Sequence, residues 1–506
     1  MSFRITRRLI ESTRGCPLRL WRAVHEEHAE PILLRSSPGY LAELRLVYAQ
    51  TVPDGVIGFE PTAPQDEVAV NTRYALDDPD VPGVMAGVLD VGDVRVRLHA
   101  VHREPDGSYT LVALRAARKV KPADLRRLAM QALAFELDDR AVCRTLVVYL
   151  SRDAVSSGPV STDPVERTRF LAVRDVTDKV FERLPALREE VEHARRVLSL
   201  PVPPVAALGR TCYHASGCSH LTRCGEPPEV VEIAQLPKVD RQMAAELVAR
   251  GATGLEDVFR FMKKPSRLQK RVRDALAHNA AHTGDALKPF LEELTYPLHF
   301  IDFELYAPAF PRYPDTRAFE QIPMQWSVHR LDADGSLTHH GYVHVSSDDP
   351  HEAFAQSLVA ALGHTGTVLA WSDSEDRLLA QLSTRLSHVA GDLESVRARL
   401  VDLQAVVRKQ VYEPTFKGSF SLKKVLPALV EGAGWHGLAI ADGHAAQLAW
   451  DTFTHASPTT RQQLAERLTV YCQRDTEAMV WLHAALVTRC GAEVAATVSK
   501  PVEDVA

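Results

Sequence analysis

Asp302 and Glu304 close a mostly apolar run, Pro297-Leu298-His299-Phe300-Ile301-Asp302-Phe303-Glu304. On a strand, an i, i+2 spacing points both carboxylates to one face. Two acids on one face of a buried strand repel each other unless a cation lies between them. Mg²⁺ or Mn²⁺ is the expected cation, because both take hard carboxylate oxygens. Far downstream, Tyr471-Cys472-Gln473-Arg474-Asp475 reads as helix, with the aromatic one turn before the acid. Two divalent ions, roughly 3.5–4 Å apart and set for in-line phosphodiester hydrolysis, need two acids beyond the first pair. The third candidate is Glu375, with Asp373 as its alternative, where Leu369-Ala370-Trp371-Ser372 leaves an apolar strand for a helix. The fourth is Asp475, and Tyr471 would orient or deprotonate the attacking water. Asp402 is a reserve acid, and Ser419, Ser421, Lys423 and Lys424 offer contacts to phosphate or sugar.

A second constellation is made of sulfur. Cys212, Cys218 and Cys224 recur at six-residue steps, and Cys16 lies near the start of the chain. Seven cysteines in a reducing compartment do not predict a disulfide framework. Four thiolates suit Zn²⁺, although the spacing lacks the C-x2-C knuckle of common zinc fingers. Cys143, Cys472 and Cys490 sit in periodic apolar segments and are expected in the core.

Two or three domains are expected to position these groups, since 506 residues exceed one core. Hydrophobic content of 45% and charged content of 25% are ordinary for a globular protein. The net charge of −6 excludes a globally basic polymer-binding surface, so such binding must come from local patches. No apolar run reaches a membrane span, and no apolar signal core follows the basic start, so a cytoplasmic protein is expected. Residues 1–228 read as an α/β unit, with strands at 94–101, 108–115 and 145–150 around a helix at 125–137. The Pro-rich stretch 200–205 interrupts it before the late cysteines. Residues 229–292 read as a helical linker with a helix-hairpin rhythm and a basic run, Arg260, Lys263, Lys264, Arg267, Lys270, Arg271 and Arg273. Residues 293–490 form a second α/β unit. Its strands are expected at 298–303, 324–330, 340–345 and 367–371, and its helices at 351–363, 374–388 and 461–487. Residues 491–506 are expected to be a flexible tail.

The runs Ile301 to Glu304, Gln321 to His329, Ser419 to Pro427 and Tyr471 to Thr476 together resemble a bacterial family of unknown function. That family joins a RecB-like PD-(D/E)XK domain to a C-terminal RNase H-like exonuclease of the DEDDy type. The resemblance implies a 3′→5′ exonuclease acting on DNA or RNA with two Mg²⁺ or Mn²⁺ ions, held by Asp302, Glu304, Glu375 and Asp475 with Tyr471 beside them. One departure is Ser372 to Glu375, where the family's second motif has Asn, a spacer, Phe or His, and Asp. One early and three late cysteines resemble the iron–sulfur staple of RecB-type nucleases, which implies a [4Fe–4S] cluster on Cys16, Cys212, Cys218 and Cys224. The N-terminal metal ligands of the family are replaced by His99, Ala113 and Arg115, while Gln131 matches its trailing Gln. The restriction-endonuclease-like domain is therefore expected to be inactive and to bind nucleic acid through Arg115, Arg118, Lys119, Lys121, Arg126 and Arg127. The alternative is an inactive nucleic-acid-binding scaffold carrying the cluster.

Overall fold

The computed structural model describes residues 3–13, 15–26, 39–60, 62–157, 161–213, 218, 220–440, 443–453 and 456–500. The chain is mixed α/β and divides into two compact units. The first comprises residues up to Cys212, Cys218–Gly225 and Ala307–Glu320; the second takes Tyr213–Gly217, Glu226–Tyr306 and Gln321 onward.

Among the described residues the first unit holds nine strands: β1 (Ile5–Thr6), β2 (Ile57–Gly58), β3 (Gly83–Met85), β4 (Val88–Val91), β5 (Val94–Arg97), β6 (Ala100–Arg103), β7 (Tyr109–Arg115), β8 (Val142–Leu150) and β9 (Leu171–Asp175). A six-stranded sheet runs β2-β3-β6-β7-β8-β9 and a three-stranded one β1-β5-β4. The helix Pro122–Leu137 buries Leu125, Leu128, Ala129, Ala132 and Leu133, the apolar stripe its period dictates. Together with β7 and β8 it gives the expected strand, helix, strand core.

The single strand expected at 94–101 is two strands in two sheets. A long hairpin, 83–91 against 94–103, bends at Ala86-Gly87 on one arm and Leu98-His99 on the other. Cross-links at the bend are Leu98 N–H to Gly87 O at 2.8 Å and Ala86 N–H to His99 O at 3.0 Å. Gly87 is required there, because a Cβ would meet Val84 Cγ1 at 2.8 Å and Thr72 Oγ1 at 2.9 Å. Alternation in the sequence runs unbroken through the bend, so nothing local marks it.

Ala307–Glu320 forms a strap within the first unit, although it follows a strand of the second. Phe310 is fully buried, edge-on to Phe170 with ring centres 6.5 Å apart. The Arg167 guanidinium lies 5.6 Å over Phe310 and pairs with Glu43 at 2.5 Å. Arg312 reaches the same Glu43 oxygen at 3.4 Å, and Tyr40 donates to Ala307 O at 2.9 Å.

The second unit adds β10 (His282–Thr283), β11 (Leu298–Tyr306), β12 (Ile322–Leu331), β13 (Leu337–Val343), β14 (Thr367–Ala370), β15 (Leu400–Asp402) and β16 (Val411–Tyr412). Its main sheet runs β13-β12-β11-β14-β15, with the first three antiparallel and the last two added parallel. Helices Pro350–Leu362, Ser374–Arg385 and Pro458–Cys490 fall where periodicity expects them. The last starts three residues early, because Ser457 caps Thr460 N–H and Pro458 fits the first turn. Between residues 228 and 292 helices dominate, but β10 pairs with β16. Past Gly491, Glu493 N–H donates to Glu292 at 2.9 Å and Ala496 O accepts from Tyr296, which ties down the start of the expected tail. Its last six residues lie outside the described ones. Among the described residues no helix is long and apolar enough to cross a membrane.

Candidate metal centre

β11 is the central strand of the second unit's sheet, flanked by β12 and β14. Asp302 lies opposite Ser327, Glu304 lies opposite Gln325, and the register shifts after Glu304. Such irregularities re-aim side chains, and here one follows directly on the second acid. The helix Pro458–Cys490 is fastened to the same strands through its own polar groups. Cys472 Sγ contacts Asp302 Oδ2 at 3.5 Å, and Gln325 Nε2 donates to Leu468 O at 3.0 Å. Ser327 and His329 each meet the Thr476 hydroxyl at 2.8 Å.

This docking brings Asp475 onto the pair from β11. One carboxylate oxygen each from Asp302, Glu304 and Asp475 lie within 4.8 Å of one another. Among the described residues this is the only group of three or more His, Cys, Asp or Glu gathered so tightly. Burial, then Asp475, then Glu304 raise the Asp302 carboxyl far above the carboxylate range. Burial and Asp475 push Glu304 up to about 8. Burial lifts Asp475 to about 6 against the pull of Trp435 and Lys423. Oxygen triads of this size fit a hard divalent ion, and such an ion removes the repulsion.

A cation and two aromatics complete the centre. Trp435 Nε1–H donates to Asp475 Oδ1 at 2.7 Å. Lys423 Nζ lies 5.4 Å from the Trp435 ring centre and 5.1 Å from that of Tyr471, and it donates to the Tyr471 hydroxyl at 3.5 Å. Tyr471 is buried, and its phenol is driven up first by burial and next by Asp475. Lys423 was anticipated, but Trp435 was not. It sits in Glu431-Gly432-Ala433-Gly434-Trp435-His436-Gly437, a run with no periodicity, and a lone Trp among glycines is its one sequence signal.

Glu375 stands outside the triad. It is buried at 6% exposure and accepts from Ser374 Oγ at 3.0 Å and Ser372 Oγ at 3.3 Å. It is near enough to raise Asp302 and Glu304, and burial followed by Asp402 raises its own carboxyl. Its alternative, Asp373, is an exposed residue paired with Arg377 at 3.1 Å. Asp402 caps the helix after β15 by accepting Ala405 N–H at 2.9 Å. Ser421 and Lys424 are exposed, and Ser419 is half-buried.

Elsewhere, Cys16, Cys212, Cys218 and Cys224 line one pocket of the first unit, with Leu18, Leu208 and Leu221 among its walls. Arg19 N–H donates to Cys16 Sγ and Gly209 N–H to Cys212 Sγ, both at 3.5 Å. Burial, and then Cys218, raise the Cys224 thiol. Sulfurs around one Zn²⁺ would lie about 3.8 Å apart for bonds of about 2.3 Å. No three of these sulfurs are mutually within 4.8 Å. Cys472 is buried as expected, but Cys143 is exposed and Cys490 half-buried; Cys143 falls at a register shift near the start of β8, and Cys490 is the last residue of its helix. Arg115 is engaged with Asp124 at 3.0 Å, Ala113 is buried in β7, and Gln131 Nε2 donates to Arg97 O at 2.6 Å. Arg118, Lys119 and Lys121 are exposed just past the end of β7. In the basic run, Lys263, Lys264, Arg267 and Lys270 are exposed. Arg271 instead binds the carbonyls of Arg408 and Lys409, and Arg273 covers Phe259 at 4.7 Å.

Residues 299–421 match the model of a family described as a domain of unknown function (DUF2779). The match starts beside the first two acids and ends before Lys423, Tyr471 and Asp475. No curated protein and no solved structure matches the chain.

Proposed function

We propose that the chain is a metal-dependent nuclease, a 3′→5′ exonuclease of the RNase H-like DEDDy kind, acting on DNA or RNA in the cytoplasm. The observation that carries this reading is the close, partly buried convergence of Asp302, Glu304 and Asp475, with Tyr471 next to Asp475. The strand order of the second unit supports it, with three antiparallel strands extended by two parallel ones and the first acids on the central strand. Bound Mg²⁺ or Mn²⁺ would polarise the scissile phosphate and supply an activated water. The three carboxylates would hold the metal, and Glu375 would reach it through its longer arm or through water. Lys423, clamped between Trp435 and Tyr471, fixes a positive charge next to the phenol, where it offsets charge building on a phosphate oxygen. Trp435 holds the Asp475 carboxylate in one orientation and favours its ionised form. In the first unit we propose a RecB-like scaffold without hydrolytic function, stapled by a [4Fe–4S] cluster on its four cysteines and contributing to nucleic-acid binding.

The test is hydrolysis of end-labelled single- and double-stranded DNA and RNA with Mg²⁺ or Mn²⁺. Wild-type protein should shorten a labelled strand stepwise, and Asp302→Asn should be inert while folding normally. Undiminished cleavage by Asp302→Asn would overturn the reading, as would an inert wild type that binds these polymers with either metal.

A further inference from the structure

A different polar centre lies in the first unit, at the bend where the long hairpin passes from one sheet to the other. His99 sits there at 7% exposure. Its Nδ1 meets the Leu114 N–H at 2.8 Å, and its Nε2 faces an Arg127 guanidinium nitrogen. Both neighbours are donors. A neutral imidazole carries one N–H, so in either tautomer that N–H points at another donor. An acceptor is missing from the centre.

The charges around it lean the same way. Arg127, Arg45 and Arg7 all lie near enough to His99 to oppose its protonation, after burial itself. Arg127 is held down to about 10, first by burial and next by Arg7. Arg45 is lowered by burial and by Arg97. The carboxylates within reach are Glu11, which pairs with Arg7 at 2.5 Å, and Asp124, which pairs with Arg115 at 3.0 Å. Among the described residues Arg45, Arg97 and Arg127 have no ion pair, and the buried Arg45 Nε has no hydrogen-bond partner. Guanidiniums gathered in a partly desolvated site with too few carboxylates are unfavourable unless an anion joins them. Arg97 is exposed, which leaves the group reachable from solvent.

We propose that Arg45 and Arg127 beside His99, with Arg97 next to Arg45, bind a phosphate group. Planar guanidiniums match phosphate oxygens two at a time, and an oxygen between Arg127 and His99 Nε2 supplies the absent acceptor. A tetrahedral phosphate serves several donors approaching from different directions, as a planar carboxylate does not. The phosphate comes either from a nucleic-acid strand or from a small phosphate monoester. The assignment stands whether or not the carboxylate centre hydrolyses anything.

The experiment uses the full-length chain in EDTA, so that no metal-dependent hydrolysis interferes. Inorganic phosphate binding is measured by calorimetry. Binding of a fluorescent single-stranded oligonucleotide is measured by anisotropy, with phosphate as competitor. Arg45→Met, Arg97→Gln and Arg127→Met should each weaken binding by about ten-fold or more, the loss of one charge-assisted contact. Without phosphate, Arg45→Met should melt no lower than wild type, since it removes a half-buried cation that has no ion pair. Arg97→Gln keeps the test open should Arg127→Met fail to fold. Competition by free phosphate identifies a monoester site. Weakened oligonucleotide binding without such competition identifies a backbone site. Equal binding of both probes by wild type and the folded variants overturns the proposal, as does a wild type that binds neither.

Discussion

Replacing Glu304 with Gln is expected to stabilise the metal-free protein, the reverse of the usual effect of altering a buried residue. The carboxylate oxygens of Asp302, Glu304 and Asp475 lie within 4.8 Å of one another. Two unit charges at that separation repel by about 3.5 kcal/mol at the effective dielectric that suits protein sites. Glu304 registers the repulsion and the burial as a carboxyl pushed from 4.5 to about 8. The folded chain thus holds this proton more tightly than the unfolded chain does. Below pH 4.5 both states are protonated and nothing is lost. Between pH 4.5 and about 8 the unfolded state ionises first, and stability falls as pH rises. At about 1.4 kcal/mol per pH unit the loss approaches roughly 5 kcal/mol, an upper bound because the neighbours share the same repulsion. Glu304→Gln should therefore gain about 3 kcal/mol at pH 8 in EDTA, a rise of roughly 10 °C in melting temperature for a unit of this size. Saturating Mg²⁺ should raise wild type and do much less for the variant. Tryptophan fluorescence reads the right unit, since five of the six tryptophans, all but Trp21, lie in the second. A wild type equally stable at pH 5 and pH 8 in EDTA, or a Gln variant that melts lower at pH 8, would refute the electrostatic account.

Trp435→Phe keeps an aromatic ring near Lys423 but removes the 2.7 Å bond to Asp475. Mg²⁺ affinity should drop by about 10- to 100-fold and its pH midpoint should move up, because Asp475 loses a group that favours its charge; an unchanged titration would contradict this. Cys218→Ser should abolish the visible absorbance and iron content of anaerobically purified protein; a colourless wild type with stoichiometric zinc would reassign the metal. Phe310→Ala should destabilise the first unit by about 3–5 kcal/mol, read as faster amide exchange in β7 and β8; unaltered protection would show that the strap carries no stability.

Much of the second unit was legible because its signals are local. The apolar run into Asp302 and Glu304 is a central strand, and Tyr471 and Asp475 share a helix face because they are one turn apart. Glu375 was ranked over Asp373 in the sequence, and the structure adds that Glu375 is buried and Asp373 exposed. Trp435 was invisible because its contact with Asp475 spans 40 residues and rests on loop geometry. In the first unit, Val94 to Ala100 alternates without a break, so a period of two cannot tell one strand from a corner between two sheets. Cys143 looked like core because apolar residues surround it, but it falls at a register shift near the start of β8, where it stays exposed. The strap was unreadable for a related reason. Its Phe310 and Ala318 look like ordinary core residues, and nothing in their spacing names the core they join.

That strap sets an order of events during synthesis. The first unit is complete up to Gly225, yet it lacks Phe310 and its neighbours until Glu320 has left the ribosome. Roughly 95 residues separate the two points, about 5 to 20 s at ordinary elongation rates. Through that interval the seat for Phe310 against Phe170 stands open, and Glu43 and Arg167 wait for Arg312. By the time the strap docks, β11 has already been made and is tethered directly to it. A nascent chain stalled before Glu320 would carry an unfinished apolar surface, which makes this window the one in which a chaperone has most to hold.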